Sequence, residues 1–144
     1  MSVSVKHMLD RKGRDVVSVP RDKTIEEVAT ILNEKRIGAI VVTSLEGRIA
    51  GIFTERDLVR CVAREGAAVL SKPVSSAMTT SVTRCTEETS LNDLMEIMSS
   101  GRFRHVPVES GGKLCGIISI GDVVKARIQE IETEAEHIRA YIAS

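Results

Sequence analysis

The sequence predicts an α+β fold: two copies of one β-α-β-β-α unit, related by a pseudo-twofold axis. Three observations lead there. The first is an internal repeat. Ile25-Glu-Glu-Val-Ala-Thr-Ile-Leu32 corresponds to Leu91-Asn-Asp-Leu-Met-Glu-Ile-Met98, and Gly51-Ile-Phe-Thr-Glu-Arg-Asp-Leu-Val59 to Gly116-Ile-Ile-Ser-Ile-Gly-Asp-Val-Val124. The offset is 66 residues from Ile25 to Leu91 and 65 from Gly51 to Gly116, which one deletion near Gly111-Gly112 accounts for. A period this long marks two copies of a supersecondary unit. The second observation is that short β-branched runs and helical periodicity alternate in the same order in both copies. The third is a shared motif, Gly-Ile-x-[Thr/Ser]-x-x-Asp, at Gly51–Asp57 and Gly116–Asp122.

The elements follow in chain order. Met1 to Asp10 is a short lead-in, and Lys12-Gly-Arg-Asp15 a turn. Val16 to Val19 is β-branched and stops at Pro20, so it reads as a strand. Thr24 opens a helix through a Thr-x-x-Glu capping box with Glu27. Ile25, Val28, Ala29, Ile31 and Leu32 recur at helical spacing, and Gly38 releases the helix. Ala39–Val42 and Ile49–Phe53 are strands joined by a turn at Glu46-Gly47, and Thr54 opens a second helix. The second copy repeats this order. Val82–Cys85 is its first strand, and Ser90 caps a helix with an apolar face of Leu91, Leu94, Met95 and Met98. Val106–Val108 and Leu114–Ile118 are strands around Gly111-Gly112, and Ser119 opens the last helix. Residues 1–64 then form the first repeat with its lead-in, 65–80 a linker and 81–144 the second repeat. The last helix overshoots its counterpart, and Ile128, Ile131, Ala135, Ile138 and Ile142 stripe it. That stripe packs either on the chain's own body or on a partner.

Composition narrows the function. Hydrophobic residues make up 42% and aromatics 2%, with no Trp, so the core is aliphatic. Lys+Arg and Asp+Glu are both 20, and this neutral balance with few aromatics counts against nucleic acid. No membrane-length apolar run or signal peptide occurs. Cys61, Cys85 and Cys115 lack metal-ligand spacing and read as thiols of a reducing, cytoplasmic protein. His7, His105 and His137 stand in no convincing order with a nucleophile and an acid, so neither catalytic nor metal-binding residues are assigned. Walker and Rossmann fingerprints are absent.

The twin motif carries the chemistry. Its glycine lets the strand pass close to another backbone or a ligand. Its hydroxyl and carboxylate fall at a helix start, where unpaired N–H groups and the dipole favour anions such as phosphate. A carboxylate there can accept hydrogen bonds from a ribose diol. The same spacing also fits a capping box with Asp in place of Glu, and such a cap needs no ligand. On the motif alone, capping is the stronger of the two readings.

Three segments add to the repeat: Arg102-Phe-Arg-His-Val-Pro-Val108, Gly47-Arg-Ile-Ala-Gly-Ile-Phe-Thr-Glu-Arg-Asp57 and Gly112-Lys-Leu-Cys-Gly-Ile-Ile-Ser-Ile-Gly-Asp122. With them the chain, from about Val5 to Lys125, resembles the cystathionine-β-synthase (CBS) domain family in its paired form, the Bateman module. It looks like the small stand-alone bacterial members. The resemblance implies a non-catalytic regulatory module that binds AMP, ADP, ATP, NAD or a related adenosine compound in clefts between the repeats. It implies ribose and phosphate contacts from Thr54, Arg56 and Asp57 and from Ser119, Gly121 and Asp122. The base would lie on Val17, Ser18, Val19, Ile37, Gly38 and Ala39 for the Asp122 site, and on Thr83, Cys85 and Phe103 for the Asp57 site. Arg104 and His105 would reach phosphates; without the family context they read as a solvated arginine and a packed strand-start residue. Gly38-Ala39 stands where the second copy has Arg104-His105, an asymmetry that implies different ligand preferences at the two sites. A homodimer through the outer helices and a regulated partner protein are also implied. The alternatives are an interaction protein with empty clefts and a nucleic-acid-associated regulator.

Overall fold

The computed structural model describes residues 3–144. Five α-helices occur among them: α1 (Val5–Lys12), α2 (Ile25–Lys35), α3 (Glu55–Glu65), α4 (Leu91–Gly101) and α5 (Ile120–Ala143). There are five strands: β1 (Ser18–Val19), β2 (Ala39–Thr43), β3 (Ile49–Thr54), β4 (His105–Ser110) and β5 (Lys113–Ser119). The fold is α+β with two separate sheets, β1-β2-β3 and β4-β5. The chain divides into two compact units. One gathers the segment ending at Arg14 with Arg84–Val108 and Gly116–Ser144; the other holds Asp15–Thr83 and Glu109–Cys115.

In the first-repeat unit, β1 pairs parallel to β2 with Ser18 opposite Val41. β2 pairs antiparallel to β3, with Ile40 opposite Phe53 and Ala39 opposite Thr54. The aliphatic face of this sheet meets α2 and α3 over Val19, Val28, Leu32, Ile40, Val42, Phe53 and Cys61. The capping box at Thr24 forms as expected, with Glu27 N donating to Thr24 Oγ1 at 3.1 Å. Gly38 does not end this helix. Arg36 does, in the left-handed conformation (φ 52°), and Ile37 N donates to Leu32 O at 3.1 Å. This is the geometry of a glycine C-cap without the glycine. Arg102 ends α4 in the same way (φ 56°), and Phe103 N donates to Met98 O at 3.1 Å.

The segment expected as a linker, residues 65–80, is not a loose tether. It forms two 3₁₀ turns, Ala67–Ser71 and Val74–Ser76, and buries Val69 and Val74 in the core of the first-repeat unit. Thr79 and Ile52 then exchange both backbone hydrogen bonds at 2.9 Å, which fixes the linker's end against β3.

In the second-repeat unit, the expected lead-in is the helix α1, with Val5, Met8 and Leu9 buried. It precedes the first repeat in sequence and packs with the second. Val5 N donates to Thr89 O at 2.8 Å, Leu91 N to Val3 O at 2.8 Å, and Arg14 pairs with Glu87 at 2.7 Å.

The strand expected over Val82–Cys85 shrinks to one bridge, Cys85 with Val108. Position 107 supplies the reason. In the first repeat Val41 N donates to Val17 O at 3.4 Å. The residue 66 positions after Val41 is Pro107, which has no N–H to give, so the ladder cannot extend. β4 and β5 are longer than expected, and α5 runs on to Ala143. No helix among the described residues is long and apolar enough to cross a membrane.

Candidate functional site: twin strand-to-helix turns

Each unit carries one copy of the motif at the junction of a strand and a helix. In the first-repeat unit β3 ends at Thr54 and α3 begins at Glu55. Thr54 has extended backbone (φ −114°, ψ 167°), so its side chain folds over the helix start. Asp57 N donates to Thr54 Oγ1 at 3.2 Å, and Thr54 N donates to Asp57 Oδ2 at 3.0 Å. This reciprocal pair satisfies two donors that a helix start leaves unpaired. The other carboxylate oxygen, Oδ1, accepts from Arg60 at 3.1 Å and from the Thr79 hydroxyl at 3.5 Å. Asp57 is only 5% exposed, and it is the buried charged residue among the described ones.

The second-repeat unit builds the same turn where β5 meets α5. Asp122 N donates to Ser119 Oγ at 3.2 Å, while Ser119 N and Oγ donate to Asp122 Oδ2 at 2.8 and 2.9 Å. The environment of the acid differs. Lys12, from the last turn of α1, donates to Asp122 Oδ2 at 2.6 Å and to Ile117 O at 2.8 Å. Burial works most strongly on Asp122 and would raise its pKa. The hydrogen bonds from Lys12 and Ser119, with the Lys12 charge, outweigh it and hold the carboxyl below its usual 3.8. Among the described residues no hydrogen bond reaches Asp122 Oδ1.

The motif glycines make room for the chain itself. A Cβ on Gly51 would lie 2.6 Å from Met78 Sδ and 2.9 Å from Thr79 O. One on Gly116 would lie 2.8 Å from a Leu9 methyl. In each unit a segment remote in sequence covers the motif strand: Met78 and Thr79 lie over Gly51, and Leu9 of α1 over Gly116.

The structure places several other expected site residues. Gly38 and Ala39 lie beside Thr54 in their own repeat: Gly38 O accepts from Glu55 N at 3.0 Å, and Ala39 is in register with Thr54. Arg104 holds the equivalent place in the second repeat, where its carbonyl accepts from Ile120 N at 2.8 Å. Val17, Ile37 and Thr83 are half-buried, Val19 and Cys85 buried, His105 half-buried, and Ser18, Arg56, Phe103, Arg104 and Gly121 exposed.

Lys12, Thr79 and Arg60 touch the two carboxylates and were missed by the sequence reading. Arg60 was within reach of sequence, being three residues after Asp57 on one helix face. Lys12 and Thr79 come from remote segments that no local pattern ties to the motif. Among the described residues no group of three or more His, Cys, Asp or Glu side chains is placed to hold a metal ion.

The Lys12–Asp122 pair makes a testable contribution. Asp122 has a depressed folded-state pKa, so its stabilisation is present above the usual 3.8 and is lost as pH falls through the lower folded value. Lys12→Met should cost about 0.5–1 kcal/mol at neutral pH, the range for a partly solvated pair. That difference should shrink towards zero in denaturation curves recorded at decreasing pH below 3.8. A cost that stays constant through acid would mean that Lys12 acts through its aliphatic stem.

Comparison with known proteins agrees with this architecture. The model of the CBS domain matches residues 5–64 and again 74–129, and the chain belongs to the CBS domain family as a tandem pair. An uncharacterized 17.7 kDa protein of Acidianus ambivalens is 38% identical over 112 residues, 77% of this chain and 66% of that protein. The chain thus spans just under two thirds of that relative's length. The crystal structure of the CBS-domain containing protein ATU1752 from Agrobacterium tumefaciens is 60% identical, with TM-score 0.84, covering 87% of this chain and 99% of that one. The CBS domain pair of protein MJ0100, solved in complex with 5-methylthioadenosine and S-adenosyl-L-methionine, shares the fold at 21% identity. Its TM-score is 0.80, over 90% of this chain and 99% of that one.

Proposed function

We propose that this chain is a non-catalytic regulatory module that binds an adenosine-containing small molecule such as AMP, ADP, ATP or NAD. It would report occupancy through the geometry of a homodimer or of a regulated partner in the cytoplasm. The observation that carries this reading is the twin turn, built twice: a carboxylate held at the third residue of a helix, next to a hydroxyl and to the backbone N–H of the helix's second residue, Arg56 or Gly121. The helix start favours phosphate, and the carboxylate favours a ribose diol. Asp57 and Asp122 are assigned to ribose, and Thr54 and Ser119, with Arg56 and Gly121 nearby, to phosphate. Arg104 and His105 add positive charge for the same phosphates. Val17 to Val19, Ile37 to Ala39, Thr83, Cys85 and Phe103 are assigned to the base. The two ligands of MJ0100 each contain adenosine, which supports the ligand class.

A second reading has one observation in its favour. Both capping boxes are fully made within the chain, so the turns would also suit an interaction protein that binds no nucleotide.

Thermal unfolding with a panel of adenosine compounds separates the two. A true ligand at one hundred times its Kd should add about 2.7 kcal/mol of stability. A flat response across AMP, ADP, ATP, NAD and S-adenosylmethionine at millimolar concentration would leave the caps as caps.

A further inference from the structure

The outer face of α5 bears the longest uncovered apolar row among the described residues. Val124, Ile128, Ile131, Ala135, Ile138 and Ile142 follow one another at alternating spacings of four and three residues. Five of them are 50–77% exposed, and Ala135 is half-buried. Alternating three-four spacing is the heptad seam of a coiled coil, not the wider stripe of a helix lying on its own domain. The residues flanking the seam are charged in a fixed order: Arg127 and Glu134 along one edge, Glu132 and Arg139 along the other.

We propose that α5 pairs with α5 of a second copy of this chain as a parallel, in-register, two-stranded coiled coil. In that setting each first-edge residue meets the second-edge residue five positions further along the other helix. Arg127 then faces the partner's Glu132, and Glu134 faces the partner's Arg139. Both contacts join opposite charges, and symmetry makes each of them twice. Arg127 already hydrogen-bonds Glu130 on its own helix, and a guanidinium has donors for both.

The antiparallel setting that pairs Glu132 with the partner's Arg139 aligns only the four layers from Ile131 to Ile142 and leaves Val124 and Ile128 uncovered. The antiparallel setting that aligns all six layers sets Glu132 against the same residue of the other copy, and Glu134 likewise, so like charges meet. The parallel setting uses all six. Isoleucine at both seam positions by itself shifts preference towards three or four strands. The Ala135 layer is too small to fill the wider core of a trimer, which favours two. Where the seam begins, Val124 and Ile128 border a groove with Met95 and Met98 of α4. These are soft side chains that repack readily around a neighbour.

The inference rests on the homodimer part of the functional reading and is independent of nucleotide binding. Sedimentation of the full chain at micromolar concentration should give about twice its 15.7 kDa mass. Ile131→Glu with Ile138→Glu should weaken self-association by about a hundredfold or more, because charges cannot be buried in an apolar seam. Both positions are exposed in the single chain, so circular dichroism should show the fold intact. Glu134→Arg should weaken the dimer, and adding Arg139→Glu should restore it. An antiparallel pair cannot be restored that way, since Arg139→Glu would set like charges against the partner's Glu132.

A dimer that survives Ile131→Glu with Ile138→Glu overturns the seam while leaving homodimerisation standing. A monomeric wild type overturns both. A trimer, or a failed charge swap, overturns the parallel pair.

Discussion

Phe53→Ala should lower the unfolding free energy by about 3–5 kcal/mol, the range for removing a fully buried aromatic side chain. Phe53 is 0% exposed and sits within the core of the first-repeat unit. Aromatics are only 2% of the chain, so its neighbours are aliphatic and no second ring can close the gap. Part of the cost is lost transfer free energy, and the rest is a cavity that close-packed neighbours fill incompletely. The residue also sits next to Thr54, opposite Ile40 in the sheet. Loosening it should therefore blur the turn that holds Asp57. Urea denaturation measures the loss as a lower midpoint at unchanged slope. Val59→Ala, on the exposed face of α3 at 69% exposure, is the control and should change stability by less than about 0.5 kcal/mol. Equal effects of the two substitutions would overturn this view of the core.

Asp→Asn at the occupied turn should weaken adenosine-compound binding by about 1.5–3 kcal/mol, the scale of hydrogen bonds to a charged group. Asparagine keeps the size of the side chain but gives up the charge and one acceptor. The two positions should respond differently in stability. Asp57 is 5% exposed and accepts from four donors, on Thr54, Arg60 and Thr79. Its loss should therefore show in the melting temperature. Asp122 is more open, and its ion pair with Lys12 would be exchanged for a hydrogen bond from the Lys12 ammonium to a neutral amide oxygen. Calorimetric titration of each variant, beside its melting curve, separates the roles. If both variants titrate like the wild type and only melt earlier, the carboxylates serve the helix starts alone.

Much of this was legible because it is local. Thr24, Thr54, Ser90 and Ser119 announce helix starts through bonds that span three residues, and all four form. The repeat exposed the pair architecture for the same reason: each copy carries its own pattern of apolar positions. What escaped depends on distant partners. α1 looked like a lead-in because the groups that bury Val5 and Leu9 lie in the second repeat. The helix ends at Arg36 and Arg102 escaped because a left-handed arginine costs more than a glycine and leaves no mark in composition. The missing strand at Val82–Cys85 was readable at Pro107, had the register been known. The candidate turns were found from the motif, whereas Lys12 and Thr79 reach those carboxylates from segments remote from them in sequence.

The position of α1 also bears on how the molecule is assembled during synthesis. The first-repeat unit draws on residues up to Cys115, so it can close before the C-terminal helix exists. The second-repeat unit needs both α1 and α5, which are made far apart in time. While a ribosome works through the middle of the chain, Val5, Met8 and Leu9 have been made but lack the partners that bury them. Closing so long a loop costs little more entropy than closing a shorter one. The interval matters more, because apolar side chains awaiting partners are open to the wrong contacts. Cutting the chain after its first repeat would leave that helix permanently without its place. Removing the helix would harm the repeat farthest from it in sequence.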